Sequence, residues 1–183
     1  EFGPDAKNNI EIITKYAGTI MGGVCALYNR LNKDLLVSEG KWQTPPDYQD
    51  KDKPEGHICY DVIKNGEEPL VVRDLPSSKY AESDPYVKKY DLKTYIGHAV
   101  KLKGKPVGSL CVVYQQDKDF NDAEKRLLSV LAKSLAVEEE RKTVADDLHS
   151  KMSDLEIMNR AAVGRELKMI ELEEEIKKLR GGK

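Results

Sequence analysis

After Pro106 the sequence contains no further proline, and after Phe120 no further aromatic residue. The segment from Asn121 to Arg180 is helix-compatible throughout. Asn121 reads as an N-cap, and Glu124 three residues on completes the pattern of a capping box. At about 1.5 Å per residue such a helix reaches roughly 90 Å, longer than any single domain of this size is wide. Most of it is therefore expected to project from a smaller folded unit and to need a partner.

A heptad register runs its whole length. Position a takes Leu127, Ser134, Arg141, Leu148, Leu155, Ala162, Met169 and Ile176; position d takes Val130, Val137, Val144, Lys151, Met158, Arg165, Leu172 and Leu179. The apolar members recur about every 3.5 residues, which is a coiled-coil seam rather than a broad stripe. Lys168 at g faces Glu173 at e of a second chain, and Glu175 faces Arg180 likewise, the matching of a parallel dimer. Lys177, Lys178 and Arg180 suit the negative end of the helix dipole. The expected partner is a second copy of the chain. The competing reading, a helix folded back or left in solvent, strands Leu, Ile and Met side chains that gain about 1.5–3 kcal/mol each when buried. Ser134, Arg141, Lys151 and Arg165 interrupt the seam, and Gly164 costs about 1 kcal/mol relative to Ala in a helix. Such breaks either fix register or leave two packings close in energy, which a ligand can then shift. A second apolar line, Val163, Leu167 and Ile170, lies off the seam as ordinary flank residues or a further contact.

The sequence before Asn121 reads as mixed α and β. "DAKNNIEIITKYAGTIMGG" gives a helix capped by Asp5, with Ile10, Ile13, Ala17 and Ile20 on one side and Gly22-Gly23 as its stop. "VCALYNRL" and "LLVSEGKW" form a hairpin around Asn32-Lys33-Asp34. "TPPDYQDKDKPEG" reads as a surface loop, "GHICYDVIKNG" as a short helix and "PLVVRDL" as a short strand. "SSKYAESDPYVKKYDLK" is a loop with a turn or two of helix. "TYIGHAVKLKGKPVGSLCVVY" supplies two long strands, the second apolar on both faces and so central. The expected organisation is an N-terminal helix over 1–22, a mixed domain over 23–137, a coiled coil over 138–180 and a tail at 181–183.

Composition limits the partners. A net charge of −2 from 30 basic and 32 acidic side chains gives no field that would draw nucleic acid or an anionic membrane. No apolar run approaches the roughly 18 residues of a membrane span. Three widely spaced cysteines, Cys25, Cys59 and Cys111, fit neither a disulfide framework nor a zinc motif, and reduced thiols point to the cytoplasm. Starting at Glu1-Phe2-Gly3 and ending Gly181-Gly182-Lys183, the chain reads as a piece of a longer protein with cloning remnants.

"GHICYDVIKNGEEPLVVRDL", followed by "YIGHAVKLKGKPVGSLCVVYQQDKDFNDAEKRLLSVLAKSLA", resembles the GAF family of sensory domains over residues about 6 to 140. The resemblance implies an α+β fold. An antiparallel sheet has the first and last helices on one face, and short helices and loops closing a ligand pocket over the other. "LEIMNRAAVGRELKMIELEEEIKKL" is similar to the linkers that join such domains to output modules, often histidine kinases. The implied function is a non-catalytic sensory module that binds a small ligand and signals through a homodimeric coiled coil to an output domain.

Within that frame His98 is the first candidate for the pocket, since a buried imidazole needs a hydrogen-bonding partner that a ligand or haem iron could supply; the cofactor itself stays unknown. His57 and Cys59 come next, and Tyr60, Tyr80, Tyr86 and Tyr90 fall in the segments that form the family's lid. The signatures of cyclic-nucleotide and bilin binding are missing: Asn32-Lys33 stands without the rest of the first, and Cys59 is followed by Tyr60. Lys79, Lys88, Lys89, Lys93, Lys101, Lys103 and Lys105 could favour an anion. Two alternatives remain open, a free methionine sulfoxide reductase and a pure dimerisation element with an empty pocket. The first is weakened because "VKKYDLKTY", where that enzyme's nucleophile is expected, has no cysteine.

Overall fold

A computed structural model describes residues 2–181, apart from the side chain of Leu179, whose expected place in the seam therefore lies outside the described residues. The chain divides into two units, Glu1–Lys142 and Thr143–Lys183.

In the first unit, helix α1 (Ala6–Met21) starts on Asp5, whose carboxylate accepts from the N–H groups of Lys7 and Asn8. It stops at Gly22, whose φ of 67° is the left-handed conformation that glycine adopts without strain. Its buried line is Ile10, Ile13, Ala17 and Met21. Ile20, expected in that line, is 59% exposed, because Met21, one turn beyond Ala17, takes the inward position. Strands β1 (Cys25–Asn32) and β2 (Leu35–Trp42) form the expected hairpin. The stretch expected to be only a loop contains a short strand, β3 (Lys51–Asp52), paired with Leu36 and Val37. Next come α2 (Ile58–Asn65), β4 (Leu70–Val72), a 3-10 turn (Leu75–Ser77), α3 (Tyr80–Ser83) and α4 (Pro85–Lys89). The long strands β5 (Thr94–Leu102) and β6 (Lys105–Tyr114) come after them. The sheet is antiparallel in the order β3-β2-β1-β6-β5-β4, so β6 is central, as its apolar sequence requires.

Helix α5 (Asp122–Arg180) is a single helix of 59 residues. Its capping box forms as read: the Glu124 N–H donates to Asn121 Oδ1 and the Asn121 N–H to Glu124 Oε2, each at 2.9 Å. Leu128, Ala132 and Leu135 of α5 join Ile10, Ile13 and Ala17 of α1 over Ile96, Val100, Leu110 and Val112, which closes one face of the sheet. Gly18 lets α1 approach β2, since a Cβ there would run into the Trp42 ring. Leu127, read as a seam residue, is half-buried against this core. Buried Glu139 accepts from the Tyr28 hydroxyl at 2.8 Å and lies 2.9 Å from Arg30 Nε. Asn9 Nδ2 donates to Glu138 Oε2 at 3.0 Å.

The second unit is the remainder of α5. The seam residues Val144, Leu148, Leu155, Met158, Met169, Leu172 and Ile176 are between 45% and 66% exposed, and Ala162 is half-buried. In the first unit, Val130 and Val137 are equally open at 57%. Among the described residues no helix is long and apolar enough to cross a membrane.

Candidate ligand site

The opposite face of the sheet is covered by α2, α3, α4 and their loops. These elements span eight, four and five residues, too short to present continuous apolar stripes. A cavity of about 260 Å³ remains beneath them. Leu27, Asn29, Tyr95, Cys111 and Val113 line it from the sheet; Ile58, Cys59, Val87 and Leu92 close it from the other side.

Asp84 organises the entrance. It precedes Pro85, so its carboxylate caps α4 through the Tyr86 N–H at 3.1 Å, and it also accepts from the Ile58 N–H at the start of α2 at 3.2 Å. His57 sits between two acids, with Nδ1 3.4 Å from Asp84 Oδ1 and Nε2 3.3 Å from Asp52 Oδ2. Burial opposes a charged imidazole here, but the hydrogen bond to Asp84 and the charges of Asp84 and Asp52 outweigh it and raise the His57 pKa. Tyr86 stacks on Tyr90 at 5.7 Å, and the rings of Tyr48 and His57 lie 5.3 Å and 5.6 Å from Tyr86. The result is an aromatic wall beside two carboxylates. Burial raises the Tyr86 phenol to about 12, with the Asp52 charge adding to the effect, so it stays protonated and donates to Asp52 at 3.4 Å.

Deeper in, Ser38 Oγ lies 2.8 Å from Tyr48 OH and donates to Asn29 Oδ1 at 2.7 Å; Asn29 Nδ2 donates to Cys59 Sγ at 3.1 Å. These residues meet because Asn29 and Ser38 are paired across β1 and β2 next to a register shift. Among the described residues no cluster of three or more His, Cys, Asp and Glu is arranged to hold a metal ion.

Of the residues anticipated from sequence, His57, Cys59, Tyr86 and Tyr90 meet in this cavity. His98 does not, and the expectation is corrected. On β5 its alternation with Ile96 and Val100 turns it to the helix-covered face, where its Nδ1 lies 2.8 Å from the Ala99 carbonyl oxygen. It lines a separate depression with Glu67, Lys101 and Lys125. Tyr80 is buried nearby but points its hydroxyl at Asp61, 2.9 Å away, and Tyr60 lies under Lys64 Nζ at 4.3 Å; neither lines the cavity. The lysines read as a possible anion site also lie off it. Lys79, Lys89, Lys93 and Lys101 are held by Asp61, Asp47, Asp91 and Glu67. Sequence reasoning missed Asn29, Tyr48, Asp52, Asp84, Tyr95 and Cys111. Asp84-Pro85 was a legible N-cap signal, and Tyr95 would have come from assigning the other face of β5 to the pocket.

Known proteins share this fold. Residues 7–138 match the profile of the GAF domain. No curated protein matches the sequence. Among solved structures, the GAF domain of a Coxiella burnetii phosphoenolpyruvate-protein phosphotransferase aligns with TM-score 0.68 and 14% identity, over 79% of this chain and 88% of its own. A domain of a putative two-component sensor histidine kinase from Sinorhizobium meliloti 1021 gives TM-score 0.60 and 14% identity, over 74% and 90%. A type II free methionine-R-sulfoxide reductase from Thermoplasma acidophilum gives 0.61 and 18%, over 73% and 91%. At these identities the likeness is one of fold.

Proposed function

The chain belongs to the GAF family, a sensory and regulatory fold, over residues 7–138, and on that footing we propose a ligand-sensing module without catalysis of its own. It binds a small molecule in the sheet-face cavity and passes the change through a parallel homodimeric coiled coil to an output domain, such as a histidine kinase, in the cytoplasm. The observation that carries this reading is the line of exposed apolar residues on α5, from Val144 through Leu155 to Ile176, at coiled-coil spacing. A helix of this composition gains from a partner with the same seam, and a second copy supplies it along with the g-to-e charge matches.

The cavity chemistry favours an amine-bearing ligand. Among the described residues its lining sets three carboxylates, Asp50, Asp52 and Asp84, against one cationic side chain, His57, with no lysine or arginine. Tyr48, Tyr86 and Tyr90 line it with aromatic rings, and Leu27, Val113 and Ile58 offer an apolar bed to the rest of the ligand. Its volume of about 260 Å³ is just under the range of drug-sized sites, which suits a small metabolite.

Sedimentation velocity at micromolar concentration tests the dimer: one species at twice the chain mass is expected, and Leu155→Asp with Leu172→Asp should return it to single chains. Single chains from the unaltered protein would overturn the transmission reading. Native mass spectrometry of the same sample tests the cavity, where a retained molecule with a protonated nitrogen is expected and a retained anion would overturn the ligand class.

A further inference from the structure

All three cysteines of the chain, Cys25, Cys59 and Cys111, line this cavity. Two of them touch, with Cys59 Sγ 3.8 Å from Cys111 Sγ. Two donors converge on the Cys59 sulfur beside Cys111, Asn29 Nδ2 at 3.1 Å and the Tyr95 hydroxyl at 3.6 Å. Both are positioned from outside the thiol pair. Ser38 Oγ donates to Asn29 Oδ1, which leaves the amide N–H of Asn29 as the group that meets sulfur. Tyr95 reaches it across a glycine, since a Cβ at Gly97 would run into the Tyr95 hydroxyl. A thiol is a weak acceptor, whereas a thiolate uses several donors at once.

We propose that Cys59 and Cys111 form a peroxide-reactive dithiol at the floor of the cavity, with Cys59 as the nucleophile and Cys111 as the resolving thiol. The substrate class is a small hydroperoxide. The Cys59 thiolate attacks the distal peroxide oxygen and the O–O bond breaks. Sulfur is oxidised to a sulfenic acid, and the alkoxide or hydroxide leaves and takes up a proton. The Cys111 sulfur then attacks the sulfenic sulfur, the S–O bond breaks, and the hydroxyl departs as water with the Cys111 proton. Altogether two thiols and one hydroperoxide give a disulfide, an alcohol (water, when the oxidant is hydrogen peroxide) and one water. A small dithiol restores the reduced pair. To reach the S–S bond length of about 2.05 Å, each sulfur moves about 0.9 Å if the approach is shared.

The three thiols differ in the way this division of labour requires. The hydrogen bond from Cys111, helped by those from Tyr95 and Asn29 and opposed by burial, brings Cys59 down to about 7. The same bond, together with burial, raises Cys111, and burial pushes Cys25 up to about 12. Of the three, Cys59 is the thiol poised to ionise first. The proposal stands on the thiol geometry and does not require the ligand-sensing reading.

The test uses the full chain, reduced and then freed of reductant, both as purified and after extensive dialysis. Equimolar hydrogen peroxide should remove two hydrogens from the intact mass and yield a Cys59–Cys111 linked peptide that dithiothreitol reverses. Iodoacetamide at pH 7 should label Cys59 at least about tenfold faster than Cys25, with the rate falling as the pH drops. In Cys111→Ser, dimedone should capture a sulfenic acid at Cys59, because nothing remains to resolve it. The proposal is overturned by the absence of the linked peptide in both samples, by a disulfide through Cys25 or between two chains, or by equal labelling of Cys59 and Cys25. A Cys59 that stays inert in protein that retains a small molecule would remove the dithiol and leave the sensory reading intact.

Discussion

On β1, Ala26 and Tyr28 turn toward α1 and α5, while Leu27 and Asn29 turn toward the cavity; β6 divides in the same way, with Leu110 and Val112 on one side and Cys111 and Val113 on the other. The two faces are thus built from alternate residues of the same strands and differ in what covers them. Two long helices lay apolar stripes over one face and pack its centre with buried Ile, Leu and Val side chains. Three short helices and their loops cover the other, and the space they leave is lined by side chains whose polar atoms hold one another. The difference teaches that stability and chemistry are separated by the pleat of the sheet: substitutions one residue apart on a strand should report on different properties.

The sharpest way to break this comparison is to remove one leucine from each face. Leu128, on the inward side of α5, is fully buried against α1 and the sheet, and its replacement by Ala should cost about 3 kcal/mol, through lost transfer energy and the hole left behind. Leu27 already borders empty space, so Leu27→Ala should cost only about 1 kcal/mol, because part of its surface has no packing to lose. Urea midpoints of the two variants check this. Equal costs would mean that the cavity face is packed as tightly as the helix face.

The polar residues sharpen the same contrast. Glu139 is fully buried against Tyr28 and Arg30, and burial together with the Glu139 charge raises the Tyr28 phenol so that it remains a donor. Glu139→Gln keeps the shape but gives up the charged acceptor, at an expected cost of about 2 kcal/mol. The Asp52 side chain, at the cavity entrance, is 37% exposed, and Asp52→Asn should change stability by less than about 0.5 kcal/mol while weakening the capture of an amine. A large loss of stability from Asp52→Asn would show that the entrance holds the fold together rather than the ligand.

Legibility in the sequence divides along the same line. Periodicity identifies faces: the α1 line apart from Ile20, the β1–β2 hairpin, the central place of β6 and the α5 capping box are all local patterns that the structure reproduces. The site is assembled from distant pieces. Cys59 on α2 and Cys111 on β6 are far apart in sequence, and nothing local says that their sulfurs meet. His98 misled because a histidine among apolar neighbours attracts notice, yet strand alternation alone cannot say which face is covered by long helices. Tyr48 and Asp52 lie in a proline-rich stretch that reads as loop, where pairing of Lys51 and Asp52 with β2 fixes the backbone. The seam of α5 is legible as a pattern, but a pattern on one chain does not name the chain that covers it.

The smallest expected effect concerns the charge on His57. The group loses hydration on folding but gains Asp84 and Asp52, and the acids prevail, so its pKa in the folded protein lies above the ordinary 6.5. A raised pKa means that the imidazolium's contribution to stability is complete below pH 6.5 and is lost as the pH climbs through the folded value. Measured against His57→Gln, the unaltered protein should therefore lose relative stability as the pH rises above 6.5, as urea midpoints on either side of that value would record. An NMR titration of the His57 ring should give a midpoint above 6.5. A midpoint below it, with stability growing toward high pH, would mean that desolvation outweighs the two carboxylates. The cavity would then hold a neutral imidazole between two charged acids, and its pull on a cation would be stronger than an imidazolium at that position allows.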